Sequence, residues 1–300
     1  MSAVEQDDVR EIPGSTPVED VAALRRARRR QLRRGLVRSK TFMIGTTFVL
    51  VWVFCALFWR WITPYSPQAV EPLHTLAAPS SSHWFGTDNL GRDVFSRVIA
   101  GAAPVLTVAP LATALGLIGG ITLGLITGFY RGWVDDVFSR IVDALLAFPL
   151  IILAVLVLAS LGRSPRNVVL VIGIIFTPLI ARTVRSAVLI EREREYVAAA
   201  RLRGERGIRI MAFEILPNIT GPIMVEGTIR LGYAIFAAAT LAFLGLGIQD
   251  PSPDWGLQVA DARAYVQIAW WMAIFPAAAL ATLVVGVNLV ADGLRRVIEE

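Results

Sequence analysis

The chain has 300 residues, 55% hydrophobic and 18% charged, with a formal net charge of +5 and a mean hydropathy of +0.60. This composition excludes a soluble globule, and the lone cysteine, Cys55, excludes an internal disulfide or a cysteine-rich metal site. Apolar runs of about 20 residues, the length that crosses a bilayer's hydrocarbon core, recur along the chain, which marks a polytopic all-α membrane protein.

Residues 1–41 read as a cytoplasmic tail, acidic at first and then arginine-rich from Leu24 to Lys40. The arginines fall on every helix face, so the run is not a clean amphipathic surface element. Holding the N-terminus in the cytoplasm and touching anionic lipid is the reading preferred over nucleic-acid binding. A first span at 42–62 ends in Trp59, Trp61 and Tyr65, residues suited to the membrane interface. It is longer than a signal-peptide core and lacks a small-residue cleavage site, so it is expected to be a retained anchor.

Residues 63–102 form an external loop in which Thr87 or Asp88 caps a short amphipathic surface helix carrying Val94, Phe95, Val98 and Ile99. His74 and His83 lie in this loop without an H-E-x-x-H spacing, and are read as surface residues rather than metal ligands. Residues 103–291 hold five further spans. The second, about 105–129, carries Gly116, Gly120, Gly124 and Gly128 on one face, a stripe on which a neighbouring helix can pack closely. The third is expected at Ala144–Leu161, and the fourth starts near Val168 and bends at Pro178.

The fifth span, from Pro217 to about Gly247, contains Glu226 and Arg230 at i,i+4 spacing. The pair either lines a translocation pathway or is a structural ion pair at a subunit interface. Asp250, Asp254 and Trp255 lie in a Pro-rich outer loop, either contacting another protein outside the cell or forming an interfacial turn. The sixth span covers about 267–290, and residues 292–300 are a cytoplasmic C-terminus. Six spans put both termini on one side, and the arginine-rich ends and loops assign that side to the cytoplasm.

Between the fourth and fifth spans runs "EYVAAARLRGERGIRIMAFEILPN". Helix propensity is high from Tyr196 to Arg203, Gly204 ends that helix, a second short helix follows at Ile208–Ile215, and Pro217 stops it. Ala198, Ala199 and Ala200 are expected to present a smooth docking surface; the alternative is an ordinary basic loop.

The segment resembles the EAA loop of bacterial ABC importer permeases, E-A-A-x-x-x-G followed by I-x-L-P. It matches at Ala199, Ala200, Gly204, Leu216 and Pro217, and departs at Ala198 and Glu214. Together with "FGTDNLGRDVFSRVIAGA", "DALLAFPLIILA", "AFLGLGIQDPSPDWG" and "NLVADGLRR", it makes residues 40–300 similar to the C-type transmembrane subunits of dipeptide, oligopeptide and nickel ABC importers, the DppC/OppC group. The resemblance implies the six-helix type I importer permease fold in a bacterial plasma membrane and a non-catalytic, alternating-access subunit.

It also implies four kinds of partner: a homologous B-type permease, two ABC ATPases or a fused pair that bind ATP and Mg, an external substrate-binding protein, and membrane lipid. The loop 191–217 would then be the ATPase-coupling element, with Glu195, Tyr196, Ala198, Ala199, Ala200, Arg201, Arg203, Gly204, Leu216 and Pro217 as its residues. The sole lysine, Lys40, lies outside any P-loop motif, so the ATP site belongs to a partner. No cofactor is expected in this chain. Peptide is the expected cargo, with nickel or another small solute as the alternative, and a stand-alone secondary carrier as the rival class.

Overall fold

The structure, a computed structural model, describes residues 35–299; the acidic tail and most of the arginine-rich segment lie outside the described residues. Among the described residues, five helices are long and apolar enough to cross a membrane: α1 (Lys40–Ile62), α2 (Val94–Tyr130), α5 (Pro165–Glu191), α7 (Thr220–Phe243) and α9 (Trp271–Glu299). Between α2 and α5 lie α3 (Trp133–Leu146) and α4 (Leu150–Leu161), and two short helices, α6 (Glu195–Leu202) and α8 (Trp255–Ala262), complete the set of named helices.

The glycine stripe determines how α2 meets α5. A Cβ placed on Gly116, Gly120, Gly124 or Gly128 would lie 3.1, 2.5, 2.7 or 2.8 Å from the Cβ of Phe176, Ile180, Val184 or Val188. The partner number exceeds the glycine's by 60 each time, so the two helices run parallel at backbone-contact distance. Parallel spans require a return crossing between them, and only α3 and α4 are available to make it.

That return is broken, which corrects the expectation of one straight span at Ala144–Leu161. The axes of α3 and α4 meet at 87°, making a sixth span only if the bent pair is counted as one. Pro149 explains the break, because a proline disfavours helical geometry in the residue before it, here Phe148. The 12 residues of α4 rise about 18 Å, short of the roughly 30 Å hydrocarbon core. Arg185 of α5 grips Asp135 of α3 with two bonds of 2.6 Å and holds the bent pair against the parallel helices.

Helices α1 and α9 are antiparallel. Gly45 meets Gly286 and Leu289, Gly293 meets Phe42, and the Trp52 indole N–H donates to Thr282 Oγ1 at 3.0 Å. The end of α9 therefore lies beside the start of α1, so both ends of the described chain share one end of the bundle. Gly207 packs against Phe129 and Tyr130 at the C-terminus of α2, which places the 191–218 loop at that same end.

The opposite end is capped by residues 63–93 and 247–270, and here three expectations change. Residues 94–102 are not a separate surface helix but the first turns of α2, which continues for 37 residues through Pro104 and Pro110. Its N-cap is Asp93, which accepts from the Ser96 N–H at 2.8 Å. Asp88 instead accepts from the backbone N–H groups of Leu90 and Arg92, and Thr87 bonds the loop at Ala77 and His74. Finally, His83 is buried rather than a surface residue.

Candidate functional site

The bundle end that gathers both described termini also carries the charged loop, and three contacts fix it there. Arg192, just after α5, donates through Nη1 to the carbonyls of Gly128 and Phe129 at 3.3 and 2.9 Å, covering acceptors left open where α2 ends. Arg201 stacks over the Phe129 ring at 5.2 Å. Tyr196 donates to Glu191 Oε2 at 2.7 Å, and burial together with that carboxylate pushes its pKa up to about 12.

α6 has Glu195 in its first turn, where the helix dipole favours an acid. Val197 and Ala200, three residues apart, are its buried face. This corrects the expectation for Ala200, which faces inward; Ala198 and Ala199 alone of the three alanines are exposed. The helix closes in a Schellman turn: Glu205 N–H donates to Ala200 O at 3.2 Å and Gly204 N–H to Arg201 O at 2.9 Å. Gly204 holds φ at +73° with open space around it, so backbone conformation and not crowding selects glycine.

From Gly207 the chain re-enters helix and widens into a π-helical segment at Ile210–Ile215, which continues through the turn Leu216–Asn218. Ile210, Met211 and Ile215 point inward, Leu216 is partly buried, and Pro217 is exposed. Residues 195–218 thus make two short helical pieces with a shared apolar interior. Arg203 pairs with Glu205 at 2.8 Å and approaches Glu214 at 3.8 Å, closing the turn with charge on its outside.

The outer surface of this unit carries three residues that sequence reasoning passed over. Leu202, Ile208 and Phe213 are 90, 73 and 75% exposed, large apolar side chains in an arginine-rich segment outside the spans. Their signal was present as apolar letters between charges, but helix phase decides whether they face in or out. Together these three residues put exposed apolar groups among the charges of a folded, helical loop.

Glu226 and Arg230 bond to each other, Nε to Oε1 at 2.6 Å, with Glu226 buried and Arg230 over the rings of Phe176 and Tyr233 at 5.9 and 5.6 Å. Neither lines the two neighbouring hollows of about 430 and 400 Å³ between α7 and α9, which share Phe236 and Val284.

The expected outer contact surface is corrected most sharply. Trp255 is fully buried, its indole N–H donating to Val98 O at 2.8 Å, because α8 packs onto the first turns of α2. Asp254 is buried beside it as the N-cap of α8, accepting from Leu257 N–H at 3.1 Å, and burial pushes its pKa up to about 6. Asp250 is exposed but bonded to buried Arg92 at 2.8 Å. Arg92 also bonds Asp88 at 2.5 Å; burial opposes its charge, yet these carboxylates hold its pKa above the ordinary value.

Parallel and antiparallel crossings around a close α2–α5 pair, with a helical loop docked under one end, define a multi-pass helical membrane protein. The fold is similar to a chain of the MetNI methionine ABC transporter in an inward facing conformation, with a TM-score of 0.55 at 20% identity, covering 68% of this chain and 95% of that one. Residues 120–300 match the model of the binding-protein-dependent transport system inner membrane component, and residues 28–79 match the N-terminal TM domain of oligopeptide transport permease C. The chain belongs to the family of binding-protein-dependent transport system inner membrane components.

Among similar proteins, the dipeptide transport system permease protein DppC of Alkalihalophilus pseudofirmus is 42% identical over 94% of this chain and 93% of its own length. The di/tripeptide permease DppC of Pseudomonas aeruginosa is 37% identical over 94% and 95%. The glutathione permease GsiD of Escherichia coli is 40% identical over 87% of each chain.

Proposed function

We propose that this chain is the transmembrane subunit of an ATP-driven importer of the dipeptide and oligopeptide class, coupled to its motor through residues 195–217. The observation that carries the coupling role is the rigid unit of α6 and the 207–218 segment, seated on the end of α2 with Leu202, Ile208 and Phe213 turned outward. Relatives named for dipeptides, di/tripeptides and glutathione support short peptides as cargo.

The arginine-rich bundle end lies in the cytoplasm by the positive-inside rule, and the capped end faces outward. ATP and Mg bind to two partner ATPases, whose closure pushes on α6. A homologous permease completes the pathway, and the groove along α7 and α9 is its seat. An external binding protein delivers the peptide at the capped end. Glu226 and Arg230, already neutralising each other within α7, act as a structural pair and not as an ion-coupling site.

The test is peptide-stimulated ATPase activity of the assembled complex in proteoliposomes. Leu202→Asp and Phe213→Asp chains should insert normally, yet release the ATPase or lose at least tenfold of the stimulated rate. Undiminished stimulation in both variants overturns the coupling assignment.

A further inference from the structure

The chain contains two histidines, nine residues apart in sequence, and the fold brings their ring centroids to 5.9 Å. Glu71 joins them: one ligand atom from each of Glu71, His74 and His83 lies within 4.8 Å of the others. The 3-10 turn Pro72–His74 is what aligns the first two, because side chains three apart on such a turn eclipse. His74 Nδ1 and Glu71 Oε2 sit 3.1 Å apart, close to the edge of about 3.3 Å that metal–ligand bonds of 2.0–2.1 Å give a tetrahedral zinc.

His83 comes prepared for the same task. Its Nδ1 lies 2.9 Å from Asp93 Oδ1, both residues buried, so the carboxylate fixes the tautomer with Nδ1 protonated and leaves the Nε2 lone pair for a ligand. The ring is also braced by Tyr65, whose centroid is 4.9 Å away and whose hydroxyl donates to Ser82 O at 3.0 Å. A carboxylate bonded to one histidine of a His/Glu cluster is the arrangement that orients metal-binding imidazoles.

We infer that Glu71, His74 and His83 bind a divalent transition ion of the zinc type at the capped end of the bundle, with Asp93 as the positioning residue for His83. Two imidazoles and one carboxylate supply three ligands and leave the fourth tetrahedral position open to solvent. The ion ties the 71–74 turn to the 80–83 turn, whose His83 is already bonded to Asp93, the N-cap of α2.

The test uses full-length protein in detergent, purified through a tag without histidine, stripped with chelator and titrated with zinc alone. Elemental analysis and competition with a chromophoric chelator report stoichiometry and affinity. Glu71 and His74 are partly exposed and contribute little packing, so Glu71→Gln and His74→Ala leave a folded chain, verified by its elution and melting profile. One zinc per wild-type chain, weakened at least tenfold in both variants, is the expected result, and Asp93→Asn, which keeps the helix cap, should weaken it by about 10- to 100-fold. No zinc bound at micromolar free metal, or undiminished binding in either ligand variant, overturns the site.

Discussion

Gly120 and Ile180 meet so closely that a β-carbon on the glycine would sit 2.5 Å from the Cβ of the isoleucine. Both lie mid-helix in the parallel α2–α5 pair, so neither backbone can step aside without parting the neighbouring glycine contacts. Gly120→Ala should therefore destabilise the chain by about 1–3 kcal/mol, an overpacking cost. Gly116→Ala, where the nearest approach is 3.1 Å, should cost clearly less. Melting of the two variants in the same detergent gives the order directly, and the reverse order would contradict this packing.

Gly204 behaves differently because nothing crowds it. Its demand is a φ of +73°, so Gly204→Asn should fold and couple nearly normally, while Gly204→Val should strain the turn by about 1–2 kcal/mol and swing α6 away from its seat. The readout is stimulated ATPase activity at matched insertion. Equal activity in the two variants would remove the backbone argument.

Trp255 is a structural keystone of the cap and not an outward contact. Trp255→Ala should cost about 3–5 kcal/mol through the cavity and lost packing it leaves, and should also orphan Val98 O. Trp255→Phe should recover much of the packing but not the hydrogen bond. If thermal stability stays at the wild-type level while binding-protein affinity drops, the buried assignment is wrong.

Asp254 makes the cap pH-sensitive. Its folded pKa of about 6 lies above the ordinary carboxyl value of about 3.9, so the folded state holds the proton more tightly. The associated stability is present in full below the ordinary value and is lost as pH rises to about 6. The loss is roughly 3 kcal/mol, since each pKa unit is worth 1.36 kcal/mol. Asp254→Asn keeps an N-cap without the charge, so it should melt higher than wild type at pH 7.5, with the gap closing toward pH 4. A gap independent of pH would assign the effect to something other than this carboxyl.

Much of the architecture was legible one segment at a time. The apolar runs, the four-residue glycine spacing and the helix–glycine–helix pattern of 195–218 are properties of a helix and its nearest neighbours in sequence, governed by the 3.6-residue period, the bilayer's thickness and the φ preference of glycine. The straight third span failed for a reason also local, the proline at 149, which composition alone outweighed.

The site's chemistry was less accessible. Leu202 and Phe213 look like core letters until α6 and the π-helical segment are docked and their phase turns those side chains outward. Trp255 looked like a surface aromatic until its loop met Val98, 157 residues earlier in the chain. His74 and His83 looked like unrelated loop residues until a 3-10 turn and the N-cap of α2 brought them together. Sequence by itself determined the membrane class, five of the crossings and the helix–glycine–helix turn of 195–218, because short-range periodicity and transfer free energy act within a segment. Tertiary structure decided which residues are buried, exposed or paired, because those depend on contacts between distant segments that no local pattern encodes.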